Sequence, residues 1–199
     1  VNDSPDGARQ EFALHVVEGT GLFLRPSGEG VAIDRAGLAW RRDAAWMQRP
    51  WADLREIRLM RTLAGRSDTG ATCLLRFVDG REVNVLSMNA GGFADAERET
   101  VYARFLRHLH EAVPEDQLAK VVFRTGKTRG PAWLAPALII VMGAFFIALP
   151  LVLLVWTGEI KALLIAFAGF FFVRPTWVVF TANRERAYPP RRPPREMFP

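Results

Sequence analysis

One cysteine among 199 residues leaves the chain without an internal disulfide or a cysteine-built metal cluster. Cys73 lies in the apolar, strand-like run ATCLLRFV and reads as a buried, inert thiol. Histidine is nearly as scarce, with three residues. His108 and His110 are two apart, so on a helix they point to different faces and cannot chelate one metal as an i, i+4 pair would. His15 stands alone near the start. The glycines of PSGEG and NAGG are not followed by the Gly-Lys-Ser/Thr of a phosphate-binding loop, and no serine sits in a nucleophile elbow. Asp95, Glu97 and Glu99 are close together, and a solvated helix start accounts for them. These absences leave no catalytic residue, no metal ligand and no cofactor site to name, so a non-enzyme is expected. The opening residues VNDSPDGARQEF have neither a basic start nor an apolar core, and no secretory signal peptide is expected there.

Charge is missing from one long stretch. Residues 132–156, AWLAPALIIVMGAFFIALPLVLLVW, form a run of 25 without a charged side chain. At about 1.5 Å per residue a helix of that length reaches about 37 Å, more than a hydrocarbon core of about 30 Å. A second apolar run covers residues 160–180. The pair predicts a transmembrane hairpin behind a water-exposed front. Up to Ala119 the chain has 15 basic and 18 acidic residues, a net of −3; from Lys120 onward it has 11 and 3, a net of +8. The positive charge flanks the apolar runs and forms no basic face on the front, so nucleic acid is not an expected partner.

Positive flanks resist translocation. Lys120, Arg124, Lys127 and Arg129 precede the first run; Arg184, Arg186, Arg191, Arg192 and Arg195 follow the second. The expectation is a multi-pass inner-membrane protein with both termini cytoplasmic. Trp133 and Trp156 bracket the first run and Trp177 sits near the end of the second, where indoles favour the headgroup level. Arg174 lies roughly 21 Å along the second helix. Its side chain either snorkels to lipid phosphate or pairs with a carboxylate on a partner. Trp133, Trp156, Arg174, Trp177, Arg184, Arg186, Arg191 and Arg192 are thus the candidate contacts to lipid or to a protein partner in the membrane. The remaining positions in the two runs carry no polar lining of the kind a transport pathway needs, which favours anchoring. Pro136 and Pro150 are expected to kink or bound the first helix.

The front reads mostly as strands. Residues 21–25, 31–33 and 38–42 are short apolar runs, with a turn at Asp34-Arg35-Ala36-Gly37 where glycine can supply a positive φ. Over residues 49–59, Trp51 to Leu54 reads as a corner and residues 56–60 then alternate as a strand would, although an amphipathic helix is open over the same 49–59 stretch. Asp79-Gly80 between residues 72–78 and 81–86 is a strong hairpin signal. Residues 93–113 place Val101, Tyr102, Phe105, Leu106 and Leu109 at helical spacing. Trp40, Trp46 and Trp51 alternate with Arg41, Arg42 and Arg49, either as core indoles with surface arginines or as an exposed aromatic cluster. The tail, AYPPRRPPREMFP, is too rich in proline for helix or central strand. It is read as mobile, with docking on lipid or on a partner in extended form as the alternatives.

The stretch Trp51-Ala52-Asp53-Leu54-Arg55-Glu56-Ile57 ahead of an Asp79-Gly80-Arg81 hairpin, with a helix after the strands, resembles bacterial pleckstrin-homology-like domains fused to helix pairs. The resemblance covers about residues 20–115. It implies an α+β fold: a small curved antiparallel sheet or barrel capped by a C-terminal helix, here followed by a two-helix transmembrane hairpin. It also implies a binding or scaffolding role with lipids or proteins as ligands. The expected organisation is an N-terminal extension (1–19), a cytoplasmic domain (20–115), a basic linker (116–131), two spans (132–156 and 160–180) and a basic proline-rich tail (181–199). The expected work is non-catalytic scaffolding at the bacterial inner membrane; the alternative is an accessory subunit of a larger respiratory or photosynthetic complex.

Overall fold

Alternating apolar residues build two antiparallel meanders that share one sheet. The computed structural model describes residues 9–19, 28–43, 45–64, 68–126, 134–158, 167, 177 and 185–198. The first meander consists of β1 (Gln10–Glu18), β2 (Gly28–Ile33), β3 (Gly37–Arg42) and β4 (Ala45–Pro50). Its inward residues, among them Phe12, Leu14, Val31, Ile33, Leu38 and Trp40, are buried in the main core. Asp34 shapes the β2–β3 turn, its Oδ1 accepting from the N–H groups of Ala36 and Gly37 at 2.8 Å each. Gly37 serves close approach, not a positive φ, because a Cβ there would lie 1.9 Å from the Arg49 carbonyl oxygen of β4.

A single 3₁₀ turn, Trp51–Asp53, leads into the second meander of β5 (Leu54–Ala64), β6 (Asp68–Phe77) and β7 (Glu82–Leu86). The 56–60 stretch is therefore strand, which removes the amphipathic-helix alternative. Gly80, at φ +79°, makes the β6–β7 turn, and its N–H donates to the Phe77 carbonyl. β1 pairs with β2 on one side and β7 on the other, so the two meanders run β4-β3-β2-β1-β7-β6-β5, and two further strands extend the sheet beyond β5. Helix α1 (Ala96–Ala112) lays Tyr102, Phe105, Leu106 and Leu109 on the core, with Phe12 meeting Phe105 edge-on at 5.5 Å. The Asp95 side chain caps it by accepting from the N–H groups of Glu97 and Arg98, a contribution of about 1 kcal/mol.

The expected fold needs correcting in two respects. The sheet is a mixed, nine-stranded one and not a small antiparallel barrel. Residues 10–18, read as part of an N-terminal extension, are β1. The short helix α2 (Glu115–Leu118) turns the basic linker back to form β8 (Val122–Thr125), parallel to β5. The tail then contributes β9 (Arg186–Ala187), antiparallel to β8. These strands escape notice because one is four residues long and the other two, and the alternation of β8 is masked by an apolar Val122 on its exposed side.

The second correction concerns the membrane. Among the described residues, no helix is long and apolar enough to cross one. The first apolar run divides into α3 (Leu134–Gly143), a π-helical segment (Ala144–Ala148) and α4 (Leu149–Thr157). Pro150 lies in the first turn of α4 and has no N–H for the preceding turn, and the wider π turn falls directly before it. Gly158 ends α4 in the left-handed region at φ +71°. Of the second run, all but Phe167 and Trp177 lies outside the described residues. The transmembrane helices and the multi-pass inner-membrane location, with both termini cytoplasmic, are accordingly not supported.

Candidate interaction surface

Two features stand out: a charge-free helical stretch with exposed apolar side chains, and a buried polar junction where that stretch leaves and rejoins the sheet. Along α3, the π segment and α4, Ile140 is 69% exposed, Val155 88% and Trp156 86%, and Val141, Phe145 and Val152 are also exposed. Phe145 and Phe146 meet edge-on at 5.2 Å. Leu151, Val152, Val155 and Trp156 line one shallow apolar hollow. Exposed large apolar side chains gathered on one helical stretch of a folded protein point to a contact site.

The junction begins on β5. Glu56 and Arg58 are two apart and therefore share one face of the strand, and both are buried. The Arg58 Nε donates to Glu56 Oε1 at 2.8 Å, and its Nη2 contacts the same oxygen. From β6, Arg76 donates to Glu56 Oε2 at 2.8 Å and to Glu82 of β7 at 2.6 Å. The remaining Arg58 nitrogen, Nη1, reaches the Gly126 carbonyl at 3.1 Å, while Nη2 lies 3.6 Å from the Glu185 carboxylate. Gly126 is the last described residue before the helical stretch and Glu185 opens the returning segment. Glu185 also pairs with Arg124 of β8. One buried guanidinium thus holds both ends of the excursion, with every charge near it partnered, as burial requires.

The returning segment is docked, contrary to the expectation of a mobile tail. The Tyr188 N–H donates to the Phe123 carbonyl, continuing the β8–β9 pairing. The Tyr188 ring is buried against Phe123 and His110. Its Oη lies 2.9 Å from His110 Nε2, and His110 Nδ1 lies 2.7 Å from the Leu106 carbonyl. Arg191 Nη1 donates to the carbonyls of His110 and Glu111 at 2.8 Å each, a cation on the negative end of α1. A 3₁₀ turn, Arg195–Met197, then buries Met197 in the main core, and Arg61 donates to the Phe198 carbonyl.

Burial sets the proton affinities here. It pulls His110 below its ordinary value, assisted by the Arg191 charge and opposed by the Leu106 carbonyl. It pushes the Tyr188 phenol and the Cys73 thiol up. His15, on β1, is likewise held low by burial and then by Arg98, although Glu29 pulls it the other way. Its Nδ1 and the Tyr102 hydroxyl are buried without a hydrogen-bond partner among the described residues.

Of the residues proposed from sequence, Trp156 stands exposed on α4 and Trp177 is half-exposed. Arg186 lies in β9 and Arg192 is exposed in the tail, while Arg191 is occupied by the α1 carbonyls. Trp133, Arg174 and Arg184 lie outside the described residues. The indole cluster divides: Trp40 and Trp51 are core, and Trp46 is half-buried under the Arg9 guanidinium at 3.8 Å. Sequence reasoning missed Glu56, Arg58, His110 and Tyr188. The Glu-x-Arg pair on a strand was a usable signal for the first two; nothing local links His110 to Tyr188. No known protein family matches this chain, and neither does any curated protein or solved structure.

Proposed function

We propose that this protein is a non-catalytic binding and scaffolding protein that docks on a protein partner through the apolar helical stretch at residues 134–157. The exposure of Ile140, Val155 and Trp156 carries this reading, since burying one large apolar side chain contributes about 1.5–3 kcal/mol. A role as an accessory subunit of a larger assembly fits it best. The sheet domain is the head that the partner positions. A protein occupant is favoured over lipid for two reasons. The apolar stretch is divided into helical segments of 10, 5 and 9 residues. Arg191, expected to face headgroups, is instead spent on α1.

Native electrophoresis of the protein extracted from its source cells tests this. Wild-type chain should migrate with a discrete larger assembly. The triple variant Ile140→Ser, Val155→Ser, Trp156→Ser should migrate alone with its head still folded by circular dichroism. Migration of both at the mass of the isolated chain overturns the proposal. So does wild-type binding to protein-free lipid vesicles with no protein assembly formed.

A further inference from the structure

Among the contacts that hold the C-terminal segment to the head is one made by a histidine. The Leu106 carbonyl can only accept, so Nδ1 of His110 carries the hydrogen. Nε2 then has a lone pair and accepts the Tyr188 hydroxyl hydrogen. A proton arriving at Nε2 turns this acceptor into a donor. The Tyr188 hydroxyl hydrogen must then turn away inside a buried site, and a second positive charge appears beside Arg191.

We propose that His110 and Tyr188 form a proton-operated latch. With the imidazole neutral, residues 186–198 stay strapped across α1 and β8. With a proton on Nε2 the strap is weakened, and residues 186–198 separate more readily from α1 and β8. The groups facing His110 are the Tyr188 hydroxyl and the Arg191 guanidinium from the tail, the Leu106 carbonyl from α1 and the uncharged Phe123 ring from β8. Arg191 is bound to the carbonyl of His110 itself, so opening the tail removes that cation together with the hydroxyl. Glu185 is the other titratable group at this end of the tail, through its pairs with Arg124 and Arg58.

The direction follows from linkage. Burial first, then Arg191, lowers the pKa of the strapped histidine below 6.5, whereas the released one has its ordinary value. The released form binds more protons, so strapping is complete above pH 6.5 and weakens as pH falls below it. Between the two values the opening equilibrium rises about tenfold per pH unit.

Amide hydrogen exchange on the full chain, corrected for intrinsic rates, reads this directly. Between pH 7.5 and 5.5 the amides of Tyr188, Arg192, Met197 and Phe198 should lose protection below 6.5, with a slope of up to about tenfold per unit until the strapped histidine itself is protonated, while β5, β6 and β7 keep theirs. His110→Gln keeps a polar partner for Tyr188 and takes up no proton, so its tail protection should be flat. Glu185→Gln should keep the wild-type slope. Unchanged tail protection, equal loss across the sheet, a slope that survives His110→Gln, or one that vanishes in Glu185→Gln each overturns the latch. Should His110→Gln not fold, the wild-type imidazole signal decides. It must titrate below pH 6.5, at the low-pH end of the range over which tail protection is lost, and titration at or above 6.5 refutes the proposal.

Discussion

Truncating Met197 separates a docked tail from a mobile one. The residue is 1% exposed and packs in the main core with Tyr188. The turn that carries it is closed by its own N–H donating to the Pro194 carbonyl. Met197→Ala removes a buried thioether arm and leaves a cavity that the rigid sheet fills only in part. The cost for such a change is about 2–5 kcal/mol. At a urea slope of about 2 kcal/mol per molar, the lower half of that range moves the unfolding midpoint down by about 1–2 M. The same substitution in a solvated tail would stay within about 0.5 kcal/mol. Urea unfolding of the full chain, followed by tryptophan fluorescence, gives the midpoint and the slope together. An unchanged midpoint at unchanged slope would refute the docking of residues 186–198 and, with it, the nine-stranded sheet.

Two further substitutions probe the junction and the first meander. Glu56→Ala leaves Arg58 buried without its main partner and should cost about 3–5 kcal/mol. Thermal unfolding should show most of that recovered in the double variant Glu56→Leu, Arg58→Met, and no recovery would mean that the pair is not the buried unit described. Gly37→Ala places a Cβ 1.9 Å from the Arg49 carbonyl oxygen and must push β4 away. It should cost at least about 1–3 kcal/mol in urea unfolding, and a neutral outcome would contradict the β3–β4 register.

The parts of the fold that sequence revealed are those whose signal is local. Asp79-Gly80 marks its hairpin because a left-handed residue at the second position is a local demand. The 3.6-residue spacing of Tyr102, Phe105 and Leu109 marks α1 because one face of it is buried and the other is not. What was hidden depends on partners far away in the chain. β8 is recognisable only through its parallel register with Glu56–Leu59, and β9 only through β8. The proline content of the tail does rule out helix and central strand. It does not rule out a two-residue edge strand followed by a turn that inserts one methionine. Likewise, hydropathy counts apolar residues in 132–156 but is blind to the π turn ahead of Pro150 that divides the helix. For the candidate surface, Trp156 was legible as an exposed indole, whereas the polar junction joins β5, β8 and the tail across more than 120 positions of chain.

The central claim is that the apolar helical stretch meets another protein, and crosslinking from that stretch tests it most directly. A photoreactive side chain at position 156, activated in intact cells, should give one adduct of defined mass whose second component is a protein, and the same probe at exposed Arg55 on the head should not give it. Adducts to lipid alone at position 156, or none where the head probe reacts equally, would contradict the account.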